Sequence, residues 1–250
     1  MRRRFFVDKF QANAASLNGA AAEHLGRVLR AEPGQLFELS DGRRVWLGRV
    51  ERVALSKPDR SRIEFSLIEP VPASEPKLGI DLLLSLVKFD RFEWCLEKAA
   101  ELGADSIIPL SAARTDGRLT AAAGKRCARW DKILHESAQQ SRRLRPPKLR
   151  AVAAPEKAFG ASTAALKIVL SERPDASSLK EILRRTAGQH AAAGISTVAL
   201  AIGPEGGWTD QELALARSAG FVAVSLGENI LRTETAVLTV MSVVNFVLSE

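Results

Sequence analysis

Cysteine and histidine are scarce in this sequence, with two cysteines and three histidines among 250 residues. Cys95 and Cys127 form no C-x-x-C pair, and His24, His135 and His190 do not have the spacing of metal ligands. The sequence therefore predicts no metal site, and both cysteines are expected to pack within helices. The low cysteine count and the lack of a signal peptide predict a protein of the reducing cytoplasm.

The chain also lacks an apolar run long enough to cross a membrane. Its most apolar segment, residues 236–248, is about 13 residues long, whereas a helix that spans a bilayer needs about 20. Ser242 and Asn245 interrupt this segment. The pattern from Thr233 to Leu248 is instead typical of a helix that is buried on several faces, either in a core or in a dimer interface.

No standard phosphate-binding motif is present, although two glycine-bearing loops lie close together near the C-terminus. Residues 201–210 read AIGPEGGWTD, and residues 225–236 read SLGENILRTETA. The first loop has neither a Gly-Lys-Ser/Thr ending nor the Gly-x-Gly-x-x-Gly spacing of dinucleotide sites, and Glu205 would repel a pyrophosphate. A neutral or cationic small molecule is the better candidate ligand.

Each glycine loop follows an apolar run that predicts a buried parallel strand, over residues 197–202 and 221–226. Thr209 and Glu212 have capping-box spacing, which predicts a helix over 210–219 between these strands. Because the carboxyl ends of parallel strands meet at one edge of a sheet, the two loops can line one pocket. A tight turn without a ligand would explain one such loop, but the pair favours a binding site.

The composition is basic, since 36 lysines and arginines against 29 aspartates and glutamates give a net charge of +7 and an isoelectric point near 9.8. The net charge is +3 over residues 1–76, +6 over 77–150 and −2 over 151–250. This distribution predicts that the first 150 residues bind the phosphates of a nucleic acid. The densest basic segment, residues 142–150, is a candidate RNA contact, with a solvated helix end as the alternative.

Two domains are predicted, separated by the proline-rich segment 69–76, which reads as a stiff linker. Before it, short alternating runs predict a small β-rich unit, with a tight turn at residues 40–43 and a β-bulge at Gly48. After it, apolar runs alternate with helical patterns, which predicts a parallel α/β sheet. Asp90 and Gly103 are the expected N-cap and C-cap of the first helix there.

The remaining elements of the second domain are predicted from the same patterns. Strands are expected over residues 80–87, 106–110 and 166–171, helices over 90–102, 124–143 and 178–186, and loops over 151–165 and 187–196. Glu172, after the strand at 166–171, is a candidate third wall of the pocket that could bind a hydroxyl or an amine. An ordinary surface-loop acid is the alternative.

The two glycine motifs resemble those of a known family. Residues 202–207 (IGPEGG) and 226–236 (LGENILRTETA) are similar to motifs of the RsmE-type methyltransferases of the SPOUT superfamily, which methylate a uridine base of 16S ribosomal RNA at N3 with S-adenosylmethionine. Residues 4–7, 97–103 and 137–143 support the resemblance, which runs nearly end to end. The sequence departs from the family at Ala113, where an acid is usual, and at Gln139, where Glu is usual.

The resemblance implies a SPOUT-type parallel sheet with a C-terminal trefoil knot over residues 73–250 and a PUA-like small β-barrel that binds RNA over residues 1–72. It also implies S-adenosylmethionine as the cofactor, 16S rRNA or the assembled small ribosomal subunit as the substrate, and a homodimer formed through the C-terminal helix. Two other functions stay open. The protein could methylate a ribose 2′-oxygen or a transfer RNA base, or it could bind RNA without catalysis.

The candidate catalytic residues are Arg232 and Glu234. Methylation of uracil N3 requires that the N3 proton be removed or that charge on the flanking carbonyl oxygens be stabilised. Arg232 could hold these oxygens or the target phosphate, and Glu234 could accept the proton. Glu205 is a second candidate base, and a helix-terminus acid is the alternative role of Glu234.

The other predicted site residues follow from the glycine loops, the charge distribution and the resemblance. The predicted cofactor-binding residues are Glu172, Ile202, Gly203, Gly206, Leu226, Gly227, Ile230, Leu231 and Thr235. The predicted RNA-binding residues are Arg3, Arg4, Arg27, Arg30, Arg114, Arg142, Arg143 and Arg145.

Overall fold

The structure, a computed structural model, describes residues 3–56, 60–189 and 195–248. His190 and part of the predicted loop 187–196 lie outside the described residues. The chain divides into two compact units: one comprises the residues up to 75 together with 138–146, and the other comprises 76–137 and the residues from 147 onward. The prediction had assigned every residue after 72 to the second domain, so the return of 138–146 to the first unit is a correction.

The first unit is a five-stranded sheet with the strand order β1-β3-β4-β5-β2. Its strands are β1 (Arg4–Phe6), β2 (Ala14–Asn18), β3 (Leu36–Ser40), β4 (Val45–Ala54) and β5 (Arg62–Val71), and a short helix α1 (Gly19–Glu23) runs into a π-helical turn (His24–Val28). β1 pairs in parallel with β3, and the other ladders are antiparallel. Buried side chains such as Phe5, Leu25 and Phe65 form its core.

The predicted turn and bulge of this sheet are both present. Asp41 Oδ1 accepts hydrogen bonds from the backbone N–H groups of Arg43 at 2.9 Å and Arg44 at 2.7 Å, which closes the turn between β3 and β4. The register of β4 against β5 shifts between Leu47 and Gly48. A Cβ atom on Gly48 would lie 2.5 Å from a methyl carbon of Leu39, so side-chain packing also requires glycine there.

An ion pair and a hydrogen bond connect Arg142 to a buried charge pair in the strands of the first unit. Arg4 and Glu38 are both buried, and Arg4 Nη2 lies 2.8 Å from Glu38 Oε2. Arg4 Nη1 also donates to the carbonyl oxygen of Arg142 at 2.5 Å, and Arg142 itself pairs with Glu38. Burying a charge is costly unless it is paired, and here Arg4 is fully committed. The prediction that Arg4 contacts RNA is therefore wrong.

The second unit contains a seven-stranded sheet with the order β10-β12-β9-β11-β6-β7-β8, and every ladder is parallel. The strands are β6 (Gly79–Ser85), β7 (Ala104–Leu110), β8 (Lys148–Leu149), β9 (Leu166–Leu170), β10 (Ser177–Ser178), β11 (Thr197–Ile202) and β12 (Val222–Ser225). The helices after α1 are α2 (Phe89–Glu101), α3 (Gly117–Ala123), α4 (Cys127–Gln140), α5 (Pro155–Ala161), α6 (Leu179–Gln189), α7 (Asp210–Ser218) and α8 (Thr233–Leu248). The predicted parallel α/β sheet is confirmed.

Helices cover both faces of this sheet, which is why its strands are continuous apolar runs. Successive strand residues point to opposite faces. Leu82 and Leu200 belong to the core cluster that contains side chains of α2, α6 and α8, whereas Leu83 and Ala201 belong to the cluster that contains side chains of α5 and α7. The carboxyl edge of the sheet is left for loops.

Several helix boundaries differ from the predictions. α2 begins at Phe89 with Lys88 as its N-cap, so Asp90 lies inside the first turn, where the helix dipole favours its carboxylate. Gly103 follows α2 with a φ of +90°, as expected for a C-cap. α5 occupies part of the predicted loop 151–165. At about two turns it is too short to show clear helical periodicity.

Two further helices are placed differently from the predictions. The helix predicted over 124–143 is α4, which is shorter and follows α3 and a 3-10 turn at Gly124–Arg126. α6 runs to Gln189, into the predicted loop 187–196.

α8 has the predicted bounds, but it leaves one face uncovered in the single chain. Val240, Met241 and Val244 are buried, whereas Phe246 is 80% exposed. Asn245 Nδ2 donates a hydrogen bond to the carbonyl oxygen of Leu102 at 2.6 Å and ties α8 to the end of α2. The expected burial on several faces is thus met on one side only. Across the described parts of the chain, no helix has both the length and the apolar character needed to span a membrane.

Candidate active site at the carboxyl edge of the sheet

Three loops at the carboxyl edge of the sheet surround a cavity of about 800 Å³. They follow three strands that lie side by side as β12-β9-β11. We call them the β9 loop (residues 171–174), the β11 loop (203–208) and the β12 loop (226–232). The predicted pocket between the two glycine loops is therefore present, with the predicted third strand end between them. Its volume falls within the range of roughly 300–1,000 Å³ that is typical of small-molecule sites.

Trp208 fixes the conformation of the β11 loop. Its buried indole donates a hydrogen bond from Nε1 to the carbonyl oxygen of Leu170 at 3.0 Å. A Cβ atom on Gly203 would lie 3.1 Å from the indole ring. Gly207 has a φ of +68°, and its N–H donates to the carbonyl oxygen of Pro204 at 2.8 Å. These glycines allow the loop to pack on itself, a role beyond the close approach of a ligand that the sequence predicts.

The predicted capping box at the start of α7 is confirmed. Thr209 Oγ1 accepts a hydrogen bond from the Glu212 N–H at 3.2 Å, and Glu212 Oε2 accepts one from the Thr209 N–H at 2.9 Å. Glu212 also accepts from the Ala113 N–H at 2.8 Å, and Arg114 Nη1 donates to the carbonyl oxygen of Gly206 at 2.8 Å. The loop after β7 thereby supports the β11 loop.

The β12 loop leads from the last strand into α8. Ser225 Oγ accepts a hydrogen bond from the Gly227 N–H at 3.2 Å and donates one to the Gly227 carbonyl oxygen at 2.9 Å. Gly227 has a φ of +143°, which side chains other than glycine rarely adopt. Ile230 lines the cavity and is nevertheless 77% exposed, so its apolar side chain is available to a ligand or a partner.

Charged side chains of both signs line the cavity. The cations are Lys88, Arg91, Arg114, Arg173 and Arg232, and the anions are Glu172, Glu205 and Glu228. Three of the arginines are engaged. Arg91 pairs with Glu205, Arg114 binds Gly206 and Arg173 pairs with Asp210. Arg232 and Lys88 are exposed, and within the described ranges neither side chain has a hydrogen bond or an ion pair. Arg232 is thus a cation at the cavity that is not committed to a protein carboxylate.

Most of the residues predicted to bind a cofactor line this cavity. They are Glu172, Ile202, Gly203, Gly206, Leu226, Gly227, Ile230 and Leu231. The predicted catalytic residue Arg232 lines it too, and so does Arg114, which was predicted to contact RNA.

Glu234 and Thr235 do not line the cavity, which corrects their predicted roles in direct contact with ligands. Thr233 and Ala236 of α8 line it instead, because residues three apart share a helix face and the two residues between them point elsewhere. Glu234 Oε1 lies 3.9 Å from Arg91 Nε. Its Oε2 is buried and has no hydrogen-bond partner among the residues that the structure describes.

Cys95 of α2 lies close to Glu234 but cannot serve as a nucleophile. Burial, and to a lesser extent the neighbouring Glu234 carboxylate, raises the pKa of the Cys95 thiol to about 12. The thiol therefore stays protonated at neutral pH, and only a thiolate is strongly nucleophilic.

The predicted RNA-binding arginines of the N-terminal segment are accessible apart from Arg4. Arg3, Arg27 and Arg30 are all exposed. Arg27 forms an ion pair with Glu23 at 2.9 Å, and its side chain remains 55% exposed. An exposed surface pair contributes little to stability, so Arg27 can exchange this partner for a phosphate.

The arginines of segment 138–146 are more strongly engaged than the sequence suggested. Arg142 pairs with buried Glu38, and Arg145 pairs with Glu75 at 2.7 Å. Arg143 is half-buried. This segment is therefore a structural part of the first unit as well as a basic one.

Lys88, Arg91 and Trp208 contribute to the site but are not predicted from the sequence. Lys88 and Arg91 follow β6, which pairs with β11, so they stand at the same edge as the glycine loops. Charged residues directly after an apolar strand were a usable signal for this position. The role of Trp208 depends on a hydrogen bond between two loops distant in sequence, and no local pattern reveals it.

Known proteins with similar sequences match nearly the whole of this chain. Residues 74–245 match a family model described as an RNA methyltransferase domain. A protein named ribosomal RNA small subunit methyltransferase E from Synechocystis sp. is 35% identical over 242 residues, which are 93% of this chain and 73% of that protein. This chain belongs to the RsmE-type RNA methyltransferase family. The resemblance carried by the two glycine motifs is thereby confirmed.

Solved structures of similar proteins support membership of the RsmE-type family over the whole chain. The crystal structure of a ribosomal RNA small subunit methyltransferase E from Neisseria gonorrhoeae bound to S-adenosyl methionine has a TM-score of 0.83 and 30% identity, and it covers 98% of both chains. A putative methyltransferase from Legionella pneumophila, in complex with bound SAM, has a TM-score of 0.81 and 28% identity, with 98% of both chains covered. Among the described residues of this family member, no group of three or more His, Cys, Asp or Glu side chains could hold a metal ion.

Proposed function

We propose that this protein transfers a methyl group from S-adenosylmethionine to N3 of a uridine in the 16S ribosomal RNA of the small ribosomal subunit. The observation that carries the proposal is the uncommitted guanidinium of Arg232 at a cavity enclosed by two glycine loops. Membership of the RsmE-type family supports the reaction class. The similar Neisseria protein bound to S-adenosyl methionine supports the cofactor.

The cavity fits S-adenosylmethionine in size and in chemistry. Ile202, Leu226 and Ile230 offer apolar surface to an adenine ring, and backbone N–H and C=O groups near Gly203 offer hydrogen bonds to its polar edge. Glu172 in the β9 loop is available to a hydroxyl or an amine. When bound, the cofactor supplies an electrophilic methyl group on a sulfonium.

Arg232 stabilises the charge that develops on the uracil. N3 carries a hydrogen at neutral pH, so removal of this proton places negative charge on N3 and the flanking carbonyl oxygens, and the bond that N3 then forms to the methyl carbon neutralises it as the carbon–sulfur bond breaks. A guanidinium is planar and permanently charged, and that of Arg232 can turn to these oxygens without breaking an ion pair in the described structure. No covalent nucleophile is needed, because the transfer depends on holding donor and acceptor together.

Glu205 is the better placed of the two carboxylates considered as proton acceptors. Glu205 lines the cavity, whereas Glu234 does not. We therefore propose that Glu234 holds the start of α8 next to the cavity. Both carboxylates contact Arg91, so this arginine links the proposed proton acceptor to α8.

We assign the first unit to RNA binding, as a PUA-like β-barrel. Its exposed Arg3, Arg27 and Arg30 can bind phosphates, and the net charge of +3 over residues 1–76 favours such a partner. A substrate made of ribosomal RNA, together with two free cysteines, also supports a cytoplasmic location.

We propose that the second unit is a SPOUT domain whose last segment threads a trefoil knot. β12 lies on one side of β9 and β11 on the other, and α8 then packs on α2, the helix that follows β6 beyond β11. The C-terminal segment thus crosses back over the strand ends that form the cavity, which supports a threaded path. A crystal structure that traces this crossing tests it.

We propose that two copies of the chain form a homodimer through α8. Phe246 and Val243 are exposed on this helix, and Ile230 is exposed at the cavity mouth. Next to them, α6, the β12 loop and α8 surround a second, mostly apolar cavity of about 440 Å³. Exposed apolar side chains beside an apolar cavity favour an interaction site, and a second copy would cover this surface with its own.

The test of the proposed reaction is transfer of a labelled methyl group from S-adenosylmethionine to small ribosomal subunits that lack N3-methyluridine. Nuclease digestion and mass spectrometry then locate the product. We expect a single N3-methyluridine in 16S rRNA. Methyl transfer to a ribose 2′-oxygen or only to transfer RNA would replace the proposed acceptor, and RNA binding without any transfer would leave a non-catalytic RNA-binding protein.

A further inference from the structure

We propose that Arg91 is a positioning residue for methyl transfer, because its guanidinium joins the β11 loop to the first turn of α8. This inference rests on the proposed function, since it concerns the same cavity and the same reaction. It adds a residue to the site that neither glycine motif contains.

Arg91 lies where three parts of the cavity meet. It belongs to the first turn of α2, which begins at the carboxyl end of β6. β6 pairs with β11, so this turn stands beside the β11 loop. Arg91 lines the cavity, and its side chain is 30% exposed. It is therefore close enough to the cavity to act on its geometry.

The contacts of Arg91 reach both sides of the cavity. Its Nη1 donates a hydrogen bond to Glu205 Oε1 in the β11 loop. Its Nε lies 3.9 Å from Glu234 Oε1 in the first turn of α8. The other paired cations at the cavity contact a backbone carbonyl, in the case of Arg114, or the α7 residue Asp210, in the case of Arg173.

Glu234 depends on Arg91 for its placement. Its second oxygen, Oε2, is buried and has no hydrogen-bond partner in the described part of the chain. Without the guanidinium, the negative charges of Glu205 and Glu234 would also have no cation between them. Their repulsion would separate the β11 loop from the first turn of α8. Because Arg232 stands two residues before Glu234, such a separation would move the proposed catalytic cation away from the β11 loop.

Arg91→Met and Glu234→Gln, alone and combined, test this role in the full-length protein, because Glu234 is the partner of Arg91 that is not a proposed proton acceptor. We expect Arg91→Met to lower kcat about 10- to 100-fold, because an error of about 1 Å in the placement of reacting groups has an effect of this size. The Kd of S-adenosylmethionine should change by less than about threefold, because the apolar and backbone groups of the cavity remain. Arg91→Lys should restore only part of kcat, since one ammonium group cannot reproduce the contacts that the guanidinium makes with two carboxylates.

The combined variant separates positioning from a general loss of charge. If Arg91 acts by holding Glu234, then Arg91→Met with Glu234→Gln should have a kcat within about threefold of Arg91→Met alone. Arg217→Met is the matched control, because Arg217 pairs with Asp175 outside the cavity lining. It should keep kcat within about twofold of the wild type. Multiplicative effects of the two single changes, or an unchanged kcat in Arg91→Met, would overturn the proposal.

Amide hydrogen exchange provides a measurement that does not require turnover. In Arg91→Met, backbone amides of residues 203–208 and 230–236 should exchange about tenfold faster than in the wild type, whereas Arg217→Met should leave them unchanged. If Arg91→Met does not fold, Glu234→Gln should give faster exchange in residues 230–236. Wild-type protein that transfers no methyl group would refute the proposed function alone, and unchanged exchange in both variants would refute the role of Arg91.

Discussion

At the scale of single residues, the cationic side chains that line the cavity differ in whether they have a partner in the protein. Arg91, Arg114 and Arg173 are held by oxygens of the protein, and Arg232 is held by none in the described residues. An engaged arginine fixes the structure around it, whereas an uncommitted one at a cavity can bind a substrate oxygen. The sequence motif marked Arg232 as a candidate, but only the structure separates it from the other arginines.

Gly203 lies at the site as predicted, but the predicted reason for a glycine at this position is incomplete. The sequence motif indicates a glycine that lets a ligand approach the backbone. The structure adds that the indole of Trp208 occupies the space next to its Cα. Such packing between residues close in sequence but folded into a loop has no periodic pattern, so it could not be predicted.

We expect Gly203→Ala to lower the free energy of unfolding by about 1–3 kcal/mol. The new Cβ would lie 3.1 Å from the indole, and Trp208 is buried and hydrogen-bonded, so it cannot easily move away. Thermal unfolding checks this. Gly160→Ala in α5 is the control: a Cβ atom there would have no neighbour within 4 Å, so this change should leave stability unchanged or raise it by up to about 1 kcal/mol. Equal stability of both variants and the wild type would contradict the packing account.

At the scale of secondary-structure elements, the sequence predicted long apolar strands and well-capped helices best. β11 and α8 have the predicted bounds, because a run of buried apolar residues and a long apolar helix leave strong patterns. α5 was missed because two turns leave little periodicity. The N-cap of α2 was misplaced because Asp90 and Glu93 have capping spacing by sequence, yet the helix begins one residue earlier at Phe89.

The capping box of α7 makes a testable prediction at this scale. Thr209→Ala should lower the free energy of unfolding by about 1 kcal/mol, because the Glu212 N–H then loses its side-chain acceptor. Thr209→Ser keeps the hydroxyl and should stay within about 0.5 kcal/mol of the wild type. Chemical denaturation measures both. Equal losses in the two variants would show that the methyl group of Thr209, rather than the cap, stabilises this helix start.

At the scale of the whole molecule, the order of elements predicted two units and a parallel sheet, but it could not predict that residues 138–146 return to the first unit. That return depends on the buried pair of Arg4 with Glu38 and on the contacts of Arg142 with both, and these residues are far apart in sequence. The same pairs explain why the basic residues at these positions are not all available to bind RNA. The net charge predicts a nucleic acid as the partner, whereas burial decides which basic residues can contact it.

The exposed face of α8 predicts the oligomeric state. We expect the wild type to sediment as a dimer and Phe246→Glu to sediment as a monomer, because a charge within the proposed apolar interface would be buried without a partner. Val28→Glu is the control, since Val28 is also exposed but belongs to the first unit. A monomeric wild type at micromolar concentration, or a dimeric Phe246→Glu variant, would contradict the proposed interface.

The central claim is that Arg232 stabilises the methyl-transfer reaction at a cofactor cavity formed by three strand ends. Its most direct test is to measure, for Arg232→Ala and the wild type side by side, cofactor binding by calorimetry and N3-methyluridine formation in small ribosomal subunits. We expect the Kd of S-adenosylmethionine to change by less than about threefold, while transfer falls by about 10²- to 10³-fold, the loss typical of removing one charge-stabilising group. Undiminished transfer by Arg232→Ala, with cofactor bound as tightly as in the wild type, would contradict it.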